Sequence, residues 1–182
     1  MVRAAFVELV ACWAVWFYPF VFHAMRIPGR KPAVTVRSTR WGFALQFAAY
    51  GVAWAFPLPD PGPARAAASM ALAPAAVVLA WTAVRHLGRQ WRIHAGLYED
   101  HELVRTGPYR FVRHPIYASM LALLLATAAL RAPWHAFLAA LAIFLAGTEI
   151  RVRAEDRLLA GRFGAAFQDY RTRVPAYVPL LR

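Results

Sequence analysis

Five apolar runs separated by basic connectors constrain this chain more than any other feature. The first runs from Ala4 to Ala24, AAFVELVACWAVWFYPFVFHA, long enough for a hydrocarbon core that takes roughly 20 helical residues. It is too long for the apolar part of a signal peptide, and Arg3 is the only basic residue ahead of it. Further runs follow from Trp41 to about Leu58, Ala66 to Val84, Ile116 to Leu130, and Trp134 to about Thr148. Between them, Pro28, Gly29 and Pro32 break the connector Arg26–Arg40, and PLPDPGPAR forms a turn before the third run. Pro74 inside the third run implies a kink. The fourth run is bracketed by Arg113 and Arg131 and reaches only about 25 Å at ~1.5 Å per residue. Its small-residue corner, Arg131-Ala132-Pro133, makes the fourth and fifth runs a tight helical hairpin. Glu8 and His135 lie near run ends, where interfacial roles suffice. With 60% hydrophobic and 16% charged residues and a mean hydropathy of +0.41, the chain reads as an integral membrane protein.

Charge gives the topology. A formal net charge of +12 and a pI near 11.2 would suggest nucleic-acid binding in a soluble protein, but here the basic residues occupy the connectors. With five spans, one side receives five Lys and Arg from the first connector, six between Arg85 and Arg113, and seven from Arg151 onward; the other side receives only Arg3, Arg65 and Arg131. Because positive residues favour cytoplasmic loops, the expected orientation has the amino terminus outside and the carboxyl terminus in the cytoplasm. The single cysteine, Cys12, lies within the first run, which excludes an intramolecular disulfide and a cysteine-based zinc site; no metal site is expected.

Two polar clusters then fall on the same side of the membrane. The first, HELVRTGPYRFVRHPIY (His101 to Tyr117), places Arg105, Arg110 and Arg113, two histidines, two prolines and two tyrosines at the lip of the fourth span. Gly107-Pro108 is a turn signal, and Pro115 suits a first helical turn, where its missing N–H is tolerated. The amides after Pro115 and the ring of His114 are expected to line a helix N-terminus suited to an anionic or polar group. In the second cluster, Arg151 and Glu155 are four apart and share a helix face. Leu158, Leu159 and Phe163 extend it as an amphipathic segment stopped near Gly164. An interfacial anchor and an intrahelical salt bridge would explain each cluster taken alone.

The ordered set LGRQW (Leu87 to Trp91), HELV (His101 to Val104), GPYR (Gly107 to Arg110), RHPIY (Arg113 to Tyr117), RVRAED (Arg151 to Asp156), RFG (Arg162 to Gly164) and DYRTRVP (Asp169 to Pro175) resembles the isoprenylcysteine carboxyl methyltransferase family. Phospholipid N-methyltransferases look similar over the same region. The resemblance runs from Leu87 to the C-terminus, while the first three spans match only in hydrophobicity. It implies an all-α, five-helix integral membrane bundle using S-adenosyl-L-methionine. The cytoplasm-facing pocket would be formed by the helix 3–4 connector, the last hairpin and the C-terminal segment. Residues 1–84 would form a three-helix membrane part, and 85–182 the methyltransferase core of one integrated domain.

By the same resemblance His101, Glu102, Leu103, Val104, Tyr109, His114, Pro115, Ile116 and Tyr117 would hold the cofactor, and Glu155 would meet its cationic amino group. Arg151 would meet the acceptor, and Arg113 is added as a second basic group near the chemistry. Members of the family often carry two adjacent glutamates where this chain has Glu155-Asp156. The expected partners are membrane lipids and a lipophilic or prenylated acceptor entering from the bilayer. Methylation of a prenylcysteine-like carboxylate is the leading expectation. Phosphatidylethanolamine N-methylation, with His114 or Glu155 as base, and a non-catalytic basic scaffold are the alternatives.

Overall fold

The computed structural model describes residues 1–26, 34–36, 39–91, 96–97 and 102–178. Its helices are α1 (Val2–Arg26), α2 (Thr39–Ala55), α3 (Gly62–Leu87), α4 (Pro115–Arg131), α5 (Trp134–Phe163) and α6 (Ala165–Arg173). Two short strands, β1 (Val34–Thr35) and β2 (Gly96–Leu97), pair antiparallel and join the α1–α2 and α3–α4 connectors. Three helices, α1, α3 and α5, are long and apolar enough to cross a membrane, and α4 is a shorter apolar helix.

The first five helices alternate in direction. At one end of the bundle the Arg131 guanidinium, closing α4, lies 5.6 Å from the ring of Phe6 early in α1 and 5.1 Å from that of Trp54 late in α2. At this same end Arg65, in the first turn of α3, lies 5.7 Å over Trp134, which begins α5, and donates to the carbonyl of Ala128 at 3.0 Å and to that of Ala132. A cation at a helix C-terminus meets both free carbonyls and the negative end of the dipole. The β1–β2 pair lies at the opposite end, where α1 closes and α2 begins.

Small residues decide which helices pack. Along α3 the small buried residues are Ala66, Ser69, Ala73, Ala76, Ala80 and Ala83, spaced alternately three and four apart, with Val84 buried beside the last of them. That 3.5-residue repeat keeps one narrow face toward its neighbours, and small side chains allow close backbone approach. The helix continues through Pro74. Accordingly, α4 packs mainly along α3 and α5 along α2, whereas α4 and α5 touch each other little. The expected tight hairpin is therefore corrected: its corner is short, but its two arms are held by other helices.

The α2–α5 contact depends on a pair of glycines. A β-carbon on Gly147 would lie 2.6 Å from the Gly42 carbonyl oxygen and 2.9 Å from Leu45 Cβ. Polar bonds add register: Trp13 Nε1 donates to Thr127 Oγ1 at 3.1 Å, Trp16 Nε1 to Ser119 Oγ at 3.2 Å, and Tyr50 Oη to the Met120 carbonyl at 2.7 Å. At about 0.6 kcal/mol each on average in a bilayer, such bonds select an arrangement more than they stabilise it.

Replacing Gly147 by alanine should cost about 1–3 kcal/mol through overpacking, read as a lower thermal midpoint in detergent. Gly51, whose β-carbon would meet nothing within 4 Å, is the control: Gly51→Ala should leave the midpoint unchanged or raise it.

Candidate functional site

The long helix α5 passes the end of its apolar stretch and carries Thr148, Arg151, Glu155 and Asp156 into one polar cluster. Gly164, with φ +51°, ends it, its N–H donating to Ala160 at 2.9 Å. This conformation favours glycine, and the turn sends α6 back across the site. Facing α5 is the segment leading into α4. A 3₁₀ turn at Gly107–Arg110 starts with Gly107 at φ +58°, and a side chain there would run into the His86 ring of α3. Tyr170 of α6 donates to the Tyr109 carbonyl at 2.6 Å. Both contacts fix the turn from outside.

His114 lies between the two adjacent carboxylates. Its Nε2 is 2.9 Å from Asp156 Oδ1 and its Nδ1 is 3.3 Å from Glu155 Oε2. With an acceptor facing each nitrogen, the ring serves as a double donor, which requires the imidazolium. Burial opposes that charge, but the hydrogen bonds with Asp156 and Glu155 outweigh it and raise the His114 pKa from 6.5 to about 9. The ring is buried and faces both carboxylates.

Arg113 serves the same cluster from the other side. Its Nη2 is 2.9 Å from Asp156 Oδ2, and its Nη1 donates to the carbonyls of Arg171, at 3.3 Å, and Val174. The backbone amides of Arg113 and His114 donate to Pro175 and Ala176 at 2.8 and 2.7 Å, while Tyr177 Oη donates to Glu149 Oε1 at 3.3 Å. Residues 174–178 thus form a strap along the base of α4. Arg113 ties the strap to Asp156.

Tyr117, in the first turn of α4, joins the halves of the site. Its hydroxyl donates to Glu155, its ring stacks on His114 with centroids 5.5 Å apart, and the Arg151 guanidinium lies 4.9 Å from its ring centroid. Arg151 also donates to Gln46 Oε1 of α2 at 3.2 Å and lies 5.4 Å from the Phe43 ring centroid. The two acids differ in access: 9% of the Asp156 side chain is exposed against 25% for Glu155, so Glu155 has the more accessible side chain. Burial, and then the charges of Glu155 and Tyr170, hold the Tyr109 hydroxyl well above its ordinary pKa.

The structure brings Arg113, His114, Pro115, Tyr117, Arg151 and Glu155 together, with Tyr109 and Ile116 on the same segments. Glu102 is exposed and Leu103 and Val104 are half-buried on the approach to the turn; His101 lies outside the described residues. Gln46 and Thr148 were not expected as parts of the site; Asp156 and the C-terminal segment were, but not the link that Arg113 makes between them. Asp156 was legible as the departure from two glutamates, and Gln46 as a lone amide in an otherwise apolar span.

The family model described as "Isoprenylcysteine carboxyl methyltransferase (ICMT) family" matches residues 69–161, spanning α3, the connector, α4 and most of α5. The chain belongs to this family. Three apolar helices of spanning length in a member of the family make it an integral membrane protein. It is similar to a Protein-S-isoprenylcysteine O-methyltransferase of Schizosaccharomyces pombe, 31% identical over 83 residues, covering 46% of this chain and 35% of the relative. It is also similar to Methanethiol S-methyltransferase 2 of Bradyrhizobium diazoefficiens, 38% identical over 73 residues, covering 40% and 27%. A third relative, the Nickel-cobalt-cadmium resistance protein NccN of Alcaligenes xylosoxydans xylosoxydans, is 35% identical over 97 residues, covering 52% and 45%. The matches therefore span less than half the length of each of these relatives.

Because the His114 pKa is raised on folding, its contribution is complete below about pH 6.5 and is lost as pH rises through about 9. The thermal midpoint in detergent should fall over that window. Asp156→Asn, which removes the stronger acceptor of the imidazolium, should lower the midpoint below pH 6.5 and flatten the slope above it.

Proposed function

We propose that this chain is an S-adenosyl-L-methionine-dependent methyltransferase acting on the carboxylate of a lipophilic, prenylcysteine-like acceptor. The arrangement around Tyr117 carries the reading. Across one aromatic ring it sets the more accessible carboxylate, Glu155, from a buried guanidinium, Arg151. One suits a cationic ligand group and the other an anionic one.

The donor set fits the cofactor. Glu155 would take its amino group, while the N-terminus of α4 at Pro115–Tyr117 offers amides and a positive dipole end to its carboxylate. Tyr109 and the segment His101–Val104 would complete the enclosure. When bound, S-adenosyl-L-methionine supplies a methyl group on a sulfonium, which an acceptor carboxylate oxygen takes to form an ester as the carbon–sulfur bond breaks and leaves a neutral thioether. Arg151 orients that carboxylate, and Tyr117 and Phe43 exclude water beside it. Positioning of this kind is worth up to about 7–11 kcal/mol in favourable cases. Arg113 and Asp156 act indirectly, by holding the strap and His114 in place.

A carboxylate, with pKa near 4, is already ionised and needs no base. An amine acceptor must lose a proton, and His114, protonated up to about pH 9, is a poor base at neutral pH. This counts against His114 as the base that phosphatidylethanolamine N-methylation would need, and Glu155, the other candidate, already accepts from Tyr117 and faces His114. The basic connectors favour five spans with the site on the cytoplasmic side, the amino terminus outside and the carboxyl terminus inside. Residues 1–84 then serve as the membrane frame for the core at 85–182.

The test is calorimetric titration of the purified protein with S-adenosylhomocysteine. Wild type should bind saturably, and Glu155→Gln should weaken binding about 10- to 100-fold, as expected for losing a hydrogen bond to a charged group, when titrated well below its own thermal midpoint, which the lost contacts to His114 and Tyr117 lower. Absence of saturable binding, or weak binding abolished by salt and indifferent to Glu155→Gln, would support the basic-scaffold alternative.

A further inference from the structure

We infer that Gln46 is a positioning residue for Arg151, and that through it α2 makes the acceptor site selective for an anionic over a neutral head group. The inference rests on the methyltransferase reading above and extends it to a helix outside the family-matched region of residues 69–161.

Gln46 is fully buried, and both ends of its amide are used. Nε2 donates to Thr148 Oγ1 at 2.9 Å, and Oε1 accepts from Arg151 Nη1 at 3.2 Å. Arg151 can only donate, so it takes the amide oxygen, and this leaves Nε2 to the fully buried Thr148, whose hydroxyl accepts from it. One turn earlier, Gly42 makes room for the stem of the same arginine: a β-carbon there would lie 2.6 Å from Arg151 Cγ and 3.3 Å from Cδ. Phe43, between them in sequence, offers its ring to the guanidinium at 5.4 Å. Three neighbouring positions of α2 therefore seat one side chain of α5, with a groove for its stem, a ring beside its head and an acceptor for one of its N–H groups.

The choice of glutamine follows from the charge. A leucine would leave a buried guanidinium N–H without this acceptor, which is costly in an apolar setting. A glutamate would bond Arg151 but cancel its charge and repel an acceptor carboxylate. An amide holds the cation in position without adding a negative charge beside it.

The experiment compares wild type, Gln46→Glu and Gln46→Leu. It uses N-acetyl-S-farnesyl-L-cysteine as methyl acceptor, its carboxamide analogue as competitor, and S-adenosylhomocysteine affinity as a separate readout. Wild type should prefer the carboxylate to the carboxamide. Gln46→Glu should raise KM for the carboxylate at least about tenfold, equivalent to about 1.4 kcal/mol, and erase that preference. Gln46→Leu should raise KM more than it lowers kcat. S-adenosylhomocysteine affinity should stay within about twofold in both, a pattern that general loosening of the fold would not produce. If Gln46→Leu does not fold, Gln46→Glu decides alone. An active wild type with KM and head-group preference unchanged in the folded variants overturns this inference and leaves the methyltransferase reading standing. A wild type that binds S-adenosylhomocysteine but methylates neither this probe nor any other carboxylate overturns the acceptor assignment and the inference with it.

Discussion

The structure depends on two adjacent carboxylates, Glu155 and Asp156, placed where an apolar helix becomes polar. Such groups are tolerated in a largely buried setting only when charges and donors surround them. Their partners come from separate parts of the chain: Arg113 and His114 ahead of α4, Tyr117 within it, and Arg171 of α6, whose Nε lies 3.9 Å from Asp156 Oδ2. Compensating the acids therefore brings α4, α5 and α6 together, and through the Arg113 carbonyl bonds it brings in the strap. The acids divide the work. Asp156 is enclosed and organises the arginine, the histidine and the strap, while Glu155 keeps an accessible edge beside Tyr117.

The membrane helices serve this cluster by bringing its flanks close. The alanine stripe of α3 holds α4, and the Gly42–Gly147 contact holds α5 against α2. The second contact brings Gln46 beside Thr148 and Arg151. The amino-terminal helices thus do more than anchor the carboxyl-terminal half, because one of them seats the arginine on which the proposed acceptor assignment rests.

The helices themselves were largely legible in the residues because hydrophobic length and helix-breaking Pro and Gly are local signals. The linked GPYR, RHPIY and RVRAED segments likewise pointed to the residues that meet around Tyr117. Side-chain pairing across the fold was less legible. RHPIY does not reveal that Arg113 turns toward the strap while Tyr117 turns toward Arg151, since both directions are set by α5 and α6. The short corner at Ala132-Pro133 suggested a tight hairpin, but packing followed the small-residue faces, which a neighbouring-run argument does not weigh. Asp156 looked like a shortened glutamate. Its shorter reach suits a residue bonded to Arg113 and His114 instead of one extended toward a ligand.

The most direct test of the account is the identity of the methylated product. Purified protein in liposomes would be given methyl-labelled S-adenosyl-L-methionine with N-acetyl-S-farnesyl-L-cysteine and, in a separate reaction, with phosphatidylethanolamine. The account predicts label in the prenylcysteine that mild alkali releases as methanol, the signature of a methyl ester, and none in the phospholipid. Alkali-stable label, or label confined to phosphatidylethanolamine, would contradict the assignment of Arg151 as the anchor of an acceptor carboxylate.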